Sequence, residues 1–517
     1  MDNSIRNRLS DFLANSIYII FSVCLIVILS LIMLCGKDNY AFRKSFLLHE
    51  ILLLIGGIVP LFLGGVLASK DSPNQLKQKK QLNIATGILF IALSYLAMNI
   101  YFATGWDAGV VFDDAKELTW GNTPDNSLYY SMYPNNQFIL FVDYVLCKIN
   151  AYYGVIDSWD GRAFIILVQC FLYSLTARTV YEVIYDETDN NGFAWIGWII
   201  FCILLGISGW IVIPYTDSMG LVFPILIMRQ YQLFRRVPTK KKLWRTFTIT
   251  LLSYWGYKLK PMILIMAIAI VITEIIYGLK DISKSVIKNR TKYFIAMLMI
   301  VAITVIASQG LFKKAIAYTR IEIDENMNLG ALHMLMMGLN ERRGGAWNPD
   351  DVALSSGILD KTERANAQKQ VIRQRLHDYG TLGLLNHLRK KTLSNFNDGS
   401  FAWGLEGNFY HTIYDEKNER ISPFLREIFY HTGKYWKYHL AIKQAAWLAV
   451  LFLMAFSVIL EKTRAKTVLV TSSIGMFLFV TLFETRARYL IVFVPVFICV
   501  ATIDLNAIVN KFVQRKK

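Results

Sequence analysis

Residues 137–149 read QFILFVDYVLCKI, and the path of the whole chain depends on whether this apolar run crosses a membrane. The run is only about thirteen residues long, whereas a helix needs about twenty apolar residues to span a bilayer. A run of this length is more typical of an interfacial or re-entrant segment than of a span. Length leaves both alternatives open, so the distribution of charge along the chain has to decide between them.

The composition is that of a polytopic membrane protein. Of the 517 residues, 54% are hydrophobic and 14% are aromatic, which is too apolar for a soluble globular protein of this length. The net charge of +17 could suggest nucleic-acid binding. However, the Lys and Arg residues fall in short clusters between apolar runs, as the positive-inside rule requires, and do not form one basic domain. We therefore expect membrane lipid around the chain and no nucleic-acid partner.

Twelve apolar runs approach the length of a membrane span. Proline at position 261 separates the seventh run from the eighth, because proline removes a hydrogen-bond donor and disfavours helix at the residue before it. The twelve runs are residues 17–35, 46–68, 82–103, 163–184, 193–213, 219–234, 246–257, 261–277, 293–310, 440–460, 467–483 and 489–508.

Charge parity resolves the status of residues 137–149. If this run does not cross, the main basic clusters all lie on one side of the membrane; they are residues 6–8, 77–80, 235–242, 280–292, 462–466 and 515–517. If the run does cross, every later cluster moves to the opposite face, against the positive-inside rule. The rule therefore predicts a helix lying on the outer surface. The predicted fold is all-α and polytopic, with about twelve transmembrane helices and both termini cytoplasmic.

This topology divides the chain into three regions. Residues 1–310 form an N-terminal transmembrane region that carries a first outer loop at about residues 104–161. Residues 311–439 form a large outer loop or lid, and residues 440–517 a C-terminal transmembrane region. Within the large loop, residues 362–377 have the pattern of a charged, solvated helix and residues 382–393 that of an amphipathic one.

The first outer loop contains the strongest candidate for chemistry. Asp107 follows Trp106 shortly after the third span, where lipid headgroups meet water. Partial desolvation there would raise the pKa of the carboxyl group toward the range useful to a general base. A structural explanation has about equal weight, since Asp107 could cap a helix over residues 108–118.

A second polar segment ends the same loop. Tyr133, Pro134, Asn135 and Asn136 form a turn that leads into the surface helix, with asparagine able to cap it. On its own this short motif is a weak signal. Its weight comes from the predicted position on the same outer face as Asp107.

These features together resemble the GT-C superfamily of membrane glycosyltransferases, which includes protein O-mannosyltransferases and the aminoarabinose transferase of lipid A. In that superfamily an outer loop carries an acidic residue, matched by Asp107, and a proline-containing segment leads into juxtamembrane helices, matched by residues 133–149. A later outer loop carries a second acidic residue, matched by Asp217. Bacterial members similar to glycosyltransferase family 39 also look similar at residues 258–261 and 486–489. This chain departs from the usual pattern in having two additional spans before the first acidic loop, a difference that preserves orientation.

The resemblance implies sugar transfer at the outer face of the membrane, from a polyprenyl-phosphate donor to a cell-surface glycan, lipid or protein. Such a reaction needs a base for the acceptor hydroxyl and cations for the phosphate leaving group. Asp107 is the predicted base and Asp217 the second catalytic carboxylate. The predicted ligands of the donor phosphate are Arg486, Arg488, Lys258 and Lys260.

Trp106, Tyr133, Asn135, Asn136 and Glu484 complete the predicted site as substrate-binding residues. Structural roles compete with these assignments, because cations at span ends often snorkel to the interface and Glu484 could simply pair with an arginine. For the two arginines the functional interpretation is slightly favoured, since Lys and Arg are depleted on the outer side.

No motif requires a cofactor. The six cysteines are scattered without Cys-x-x-Cys or Cys/His ligand spacing, and they are expected to be small apolar core residues. A divalent cation could contact Asp217, but one carboxylate does not make a metal site. The histidines of the large loop, namely His333, His377, His387 and His411, lack metal spacing and are interpreted as ordinary loop residues.

Two other functions remain as alternatives. An O-antigen-type polymerase or ligase also has about twelve spans and a large outer loop, but its important cations lie in that loop. A flippase or transporter of lipid-linked sugar should carry charged or Gly/Pro-broken segments near the middle of the bilayer, and these are scarce here.

Overall fold

The computed structural model of the protein describes residues 3–36, 47–70, 75–153, 161–280, 287–415 and 418–514, except for the side chains of residues 3, 75–77 and 287–290. Parts of several predicted features lie outside the described residues: residue 46 of the second apolar run, 154–160 of the first outer loop, 416–417 of the large outer loop, and 281–286 and 515–517 of two basic clusters.

The described chain is almost entirely helical. Its α-helices are α1 Asn3–Cys35, α2 Leu47–Ala68, α3 Gln75–Ile100, α4 Asp107–Thr119, α5 Ser127–Met132, α6 Asn135–Tyr153, α7 Arg162–Thr188, α8 Asn191–Phe201, α9 Thr216–Gly220, α10 Val222–Arg236, α11 Thr239–Leu259, α12 Leu264–Gly278, α13 Ile287–Tyr318, α14 Gly330–Gly338, α15 Pro349–Gly357, α16 Lys361–Phe396, α17 Ile421–Phe429, α18 Trp436–Ala455, α19 Arg464–Leu482 and α20 Val494–Gln514. A π-helical turn covers Cys202–Gly206, and 3₁₀ turns cover Gly209–Val212, Pro261–Ile263, Glu325–Met327, Phe456–Ile459 and Ala487–Val492. Two short strands, β1 Phe102–Ala103 and β2 Thr412–Ile413, pair antiparallel.

Nine helices of the described chain are long and apolar enough to cross a membrane: α1, α2, α3, α7, α12 with the 3₁₀ turn before it, α13, α18, α19 and α20. They coincide with nine of the twelve predicted runs. The prediction of an all-α, polytopic membrane protein is therefore confirmed. The count of twelve spans stays a prediction.

The three remaining predicted runs form helices that are shorter or more polar than the nine named above. Helix α10 has 15 residues, so at 1.5 Å per residue it covers about 22 Å, less than the roughly 30 Å of a hydrocarbon core. Helix α8 is apolar but has only 11 residues before it continues as the π-helical turn. Helix α11 has 21 residues, but Lys240, Lys241 and Lys242 occupy its first turn.

Among the nine helices long enough to cross a membrane, α7, α18 and α20 are the most buried. In each of them, 61% of the most apolar stretch is buried inside the protein. Helix α18 packs against α2 and α20, while α7 packs against α3, α8 and α10. Helix α13 lies at the edge of the protein, because only 11% of its most apolar stretch is buried. Apolar side chains on such an edge helix, for example Ile303 and Ile306, are exposed on the protein surface, as expected for contact with lipid.

The predicted surface helix forms α6, which begins at Asn135 and packs against α4. It is absent from the nine helices of the described chain that could cross a membrane. The predicted cap at Asp107 is wrong in detail, because Trp106 is the N-cap and makes no side-chain cap hydrogen bond, while Asp107 is the first helical residue. A carboxylate in the first turn still interacts favourably with the helix dipole.

The large loop contains α14 to α17. The two predicted helices within it form one element, α16, broken at Gly380, where φ is 52° and the backbone leaves the helical region. A positive φ is accessible to glycine without the steric cost that a Cβ imposes. The β1–β2 pair connects the start of the first outer loop to the large loop.

Candidate functional site

Asp107 is partly buried at the start of α4, next to Tyr129. Burial raises the pKa of its carboxyl group, while the charge of Arg488 and a hydrogen bond from Tyr129 act in the opposite direction. This is the direction predicted from the position of Asp107 beside the membrane. A carboxylate with a raised pKa binds a proton more readily, which is the property that a general base requires.

A chain of hydrogen bonds runs from Asp107 across the predicted substrate-binding residues. The amide of Asn136 donates to the hydroxyl oxygen of Tyr129 at 2.6 Å, and the hydroxyl of Tyr215 donates to the side-chain oxygen of Asn136 at 2.8 Å. Asn135 donates to the same oxygen at 3.0 Å. The structure thus brings the Tyr133–Asn136 turn next to Asp107, as the sequence predicted.

Asp217 is held between two cations. Its Oδ2 lies 2.5 Å from Nη1 of Arg488, and its Oδ1 lies 2.7 Å from Nζ of Lys260. Lys260 also donates to the hydroxyl of Thr216. The break between α11 and the next span positions Lys260, because its backbone is extended just before Pro261, as a residue preceding proline should be.

Arg486 and Arg488 share one carboxylate that sequence reasoning missed. Oε1 of Glu406 accepts from Nε of Arg488, and Oε2 accepts from Nη1 of Arg486, each at 2.8 Å. Arg486 also donates to Glu484, whose second oxygen accepts from Tyr489 at 2.6 Å. Arg486 and Arg488, two of the predicted ligands of the donor phosphate, therefore already have carboxylate partners.

Aromatic rings enclose this ion cluster. The guanidinium carbon of Arg488 lies 4.6 Å from the centroid of the Trp106 ring, and Nζ of Lys260 lies 4.3 Å from that of Tyr489. The ring of Trp106 packs edge-on against Tyr215 at 5.1 Å between centroids. Rings that exclude water lower the local dielectric, so each charge in the cluster depends strongly on its partners.

A cavity of about 480 Å³ adjoins the cluster. Its polar wall includes Tyr133, Asn135, Lys258, Lys260 and Tyr489. The rest of the wall is mainly apolar, with Met262 from the turn before α12, Phe312 from α13, and Phe479 and Phe483 from the end of α19. The cavity is therefore amphipathic, with two lysines and three tyrosines among its lining residues.

Lys258 differs from the other predicted cations. Its Nζ lies 4.1 Å from the centroid of the Phe312 ring, and within the described ranges it forms no ion pair. Lys260, Arg486 and Arg488 each have a carboxylate within salt-bridge distance. Lys258 is thus the predicted cation that faces the cavity without a carboxylate partner.

A family model described as a conserved hypothetical integral membrane protein matches residues 7–509. The chain belongs to this family. No curated protein and no solved structure matches it. The match spans both loops and the transmembrane helices, so the ion cluster and the cavity lie within the region that defines the family.

In this integral membrane protein, the described residues contain no group of three or more His, Cys, Asp or Glu side chains that could hold a metal ion. Both oxygens of Asp217 already contact cations. The divalent cation considered from the sequence therefore finds no ligand set next to Asp217. The cysteines are free, and four of the six are buried, as expected for core residues.

Two of the histidines interpreted as ordinary loop residues are buried. His387 lies close to the carbonyl oxygen of Gly338 and to the hydroxyl of Tyr379. His333 on α14 lies in the wall of the cavity and is 0% exposed. The sequence did not single out the helix that places His333 in the wall of the cavity.

Proposed function

We propose that this protein is a GT-C-type glycosyltransferase that moves a sugar from a polyprenyl-phosphate donor to a cell-envelope glycan, lipid or protein. The observation that carries the proposal is the amphipathic cavity beside the cluster of Asp107, Asp217 and their cations.

The two parts of the cavity wall suit the two parts of such a donor. Lys258 would attract the phosphate, because an ammonium group in a water-poor site interacts strongly with an anion. Lys260 lines the same cavity but is paired with Asp217. Phe312, Met262 and Phe483 would contact the first isoprene units, since burying apolar surface is favourable. A small polar substrate would leave this apolar wall unused.

The proposed reaction is a displacement at the anomeric carbon. The acceptor hydroxyl oxygen forms the new bond, and its proton passes to Asp107. The bond between the anomeric carbon and the phosphate oxygen breaks, and polyprenyl phosphate leaves with the electron pair. Lys258 stabilises the negative charge that develops on the leaving phosphate.

The arginines have a different role in this proposal from the one predicted. Since Arg486 and Arg488 bind Glu406, and Arg488 also binds Asp217, they fix the carboxylates rather than offering free donors. A buried guanidinium with several hydrogen-bonded partners holds a rigid geometry. Preorganised charge of this kind is what lowers the barrier in group transfer.

The positive-inside rule supports an orientation with both termini in the cytoplasm and the site on the outer face. In this orientation the donor would reach the cavity from the outer leaflet. The acceptor would approach Asp107 from outside the cell membrane.

A transfer assay tests the proposal. The full-length protein in nanodiscs is mixed with a synthetic polyprenyl-phosphate sugar and a cell-envelope extract as acceptor source. Asp107→Asn should lower transfer by roughly 10²–10⁴-fold, because it removes the base. Glu117→Gln on the same helix is the matched control and should retain activity.

Full activity of Asp107→Asn would remove this residue as the base. Movement of lipid-linked sugar across the membrane without any transfer would instead favour a flippase. Polymerisation of the donor's own glycan would point to the polymerase alternative.

A further inference from the structure

We propose that His333 is a donor-binding residue, whose Nε2–H forms a hydrogen bond to a phosphate oxygen of the lipid carrier; this inference rests on the proposed function. His333 lies on α14 in the large loop and lines the same cavity as the lysines at the end of α11. Its ring is completely buried, and Nε2 has no hydrogen-bond partner among the described residues.

The hydrogen bonds of the ring determine which nitrogen carries the proton. Nδ1 of His333 lies 2.9 Å from the hydroxyl oxygen of Ser355. That oxygen also accepts from the side-chain amide of Gln368 at 3.1 Å. Within the described chain, Nδ1 is the acceptor available to the Ser355 hydroxyl hydrogen. The hydroxyl therefore donates to Nδ1, and the hydrogen of the neutral ring resides on Nε2.

Burial keeps this ring neutral. It lowers the pKa of His333, although the negative charges of Asp351 and Glu484 oppose the shift. A neutral ring with Nδ1 occupied offers one N–H group. A buried N–H group without an acceptor is unfavourable. A ligand oxygen that accepts from this group would therefore bind more tightly.

The chemistry of the cavity indicates which ligand supplies that oxygen. Lys258 lines the same cavity and favours an anion. The apolar remainder of the wall favours a hydrocarbon chain attached to it. A lipid phosphate would match the ammonium group of Lys258, the N–H group of His333 and the apolar wall at once. It would also be held between the transmembrane helices and α14, so that the donor links the large loop to the membrane region.

Binding measurements test this inference without requiring catalysis. Synthetic polyprenyl phosphate is titrated into the full-length protein in nanodiscs, and polyprenyl alcohol and inorganic phosphate serve as comparison ligands. His333→Phe keeps a ring of similar size but lacks the donor. His333→Gln keeps an amide donor. His377→Phe, on an exposed part of α16, is the control.

His333→Phe should weaken polyprenyl phosphate binding by about tenfold or more, because it removes a hydrogen bond to a charged group. His333→Gln should recover most of this loss, and binding of polyprenyl alcohol should not change. Unfolding temperatures of all variants show whether the fold is retained.

Three outcomes would overturn the inference. His333→Phe could bind polyprenyl phosphate as the wild type does, or it could lose the phosphate and the alcohol equally, which would indicate a packing role. Wild-type protein could bind inorganic phosphate as tightly as the lipid, which would exclude a lipid ligand. Binding that depends on His333 without any sugar transfer would refute only the proposed function, whereas sugar transfer with binding insensitive to His333 would refute only this inference.

Discussion

Replacing Asp217 by asparagine should destabilise the protein far more than the same change at Asp350. Asp217 pairs with Arg488 at 2.5 Å and Asp350 pairs with Arg342 at 3.6 Å, but the side chains of Asp217 and Arg488 are 2% and 6% exposed, whereas those of Asp350 and Arg342 are 73% and 86% exposed. The Asp217→Asn change would leave Arg488 and Lys260 buried with one carboxylate fewer. Breaking a buried pair by removing one partner costs about 3–5 kcal/mol, whereas an exposed pair contributes about 0–1 kcal/mol.

The size of the chain sets the expected change in unfolding temperature. With an unfolding entropy of about 2.1 cal/mol/K per residue, a loss of 3–5 kcal/mol lowers Tm by about 3–5 °C if the 517 residues unfold together. Asp350→Asn should lower Tm by about 1 °C or less, on the same basis. Thermal unfolding of both variants in the same nanodiscs measures the difference.

Equal shifts for the two variants would refute the reasoning, because they would show that burial of the ion pair does not determine its contribution. An unchanged Tm for Asp217→Asn would lead to the same conclusion. Salt provides an additional check, since about 0.5 M NaCl should reduce the effect at Asp350 but not that at Asp217.

Three further predictions follow from single contacts. Burial lowers the pKa of Lys391 to about 7, so the unfolded chain binds more protons between pH 7 and about 10.5; stability should rise with pH in this window, and Lys391→Met should reduce the rise in a series of Tm measurements. The Tyr129 hydrogen bond lowers the pKa of Asp107, so in Tyr129→Phe the loss of transfer activity on acidification should begin at higher pH in a pH–rate profile. A Cβ at Gly338 would lie 2.6 Å from the carbonyl oxygens of two residues at the end of α19; Gly338→Ala should therefore cost about 1–3 kcal/mol, whereas Gly357→Ala, with open space around it, should change the denaturation midpoint little.

Hydropathy was sufficient to predict the long spans but not the short helices. A run of about twenty apolar residues has essentially one stable arrangement in a bilayer, so α1, α18 and α20 follow from the sequence. The run at 193–213 contains two turns that depart from α-helix, at Cys202–Gly206 and Gly209–Val212. Such departures depend on tertiary packing, which a hydropathy pattern does not contain.

The residues of the site were predictable where they lie next to the end of an apolar run. Asp107, Asp217 and Lys260 each lie at a change from apolar to polar sequence, and these changes locate the ends of helices. Glu406 had no such signal, because it lies in an irregular part of the large loop. Phe401 and Ala402 in that segment have φ values of 58° and 60°, so its path is set by contacts with the rest of the protein rather than by local preference.

The charge balance of the cluster determines which cation remains for a ligand. Asp217, Glu406 and Glu484 offset the charges of Arg486, Arg488 and Lys260, which their distances already pair. An incoming phosphate at the arginines would have to displace a carboxylate, leaving that carboxylate buried without its partner, and this is costly in a water-poor site. At Lys258 no such exchange is needed. The arrangement therefore separates two tasks that the sequence assigned to one set of cations: the arginines organise the carboxylates, and Lys258 with His333 is left to hold the donor phosphate.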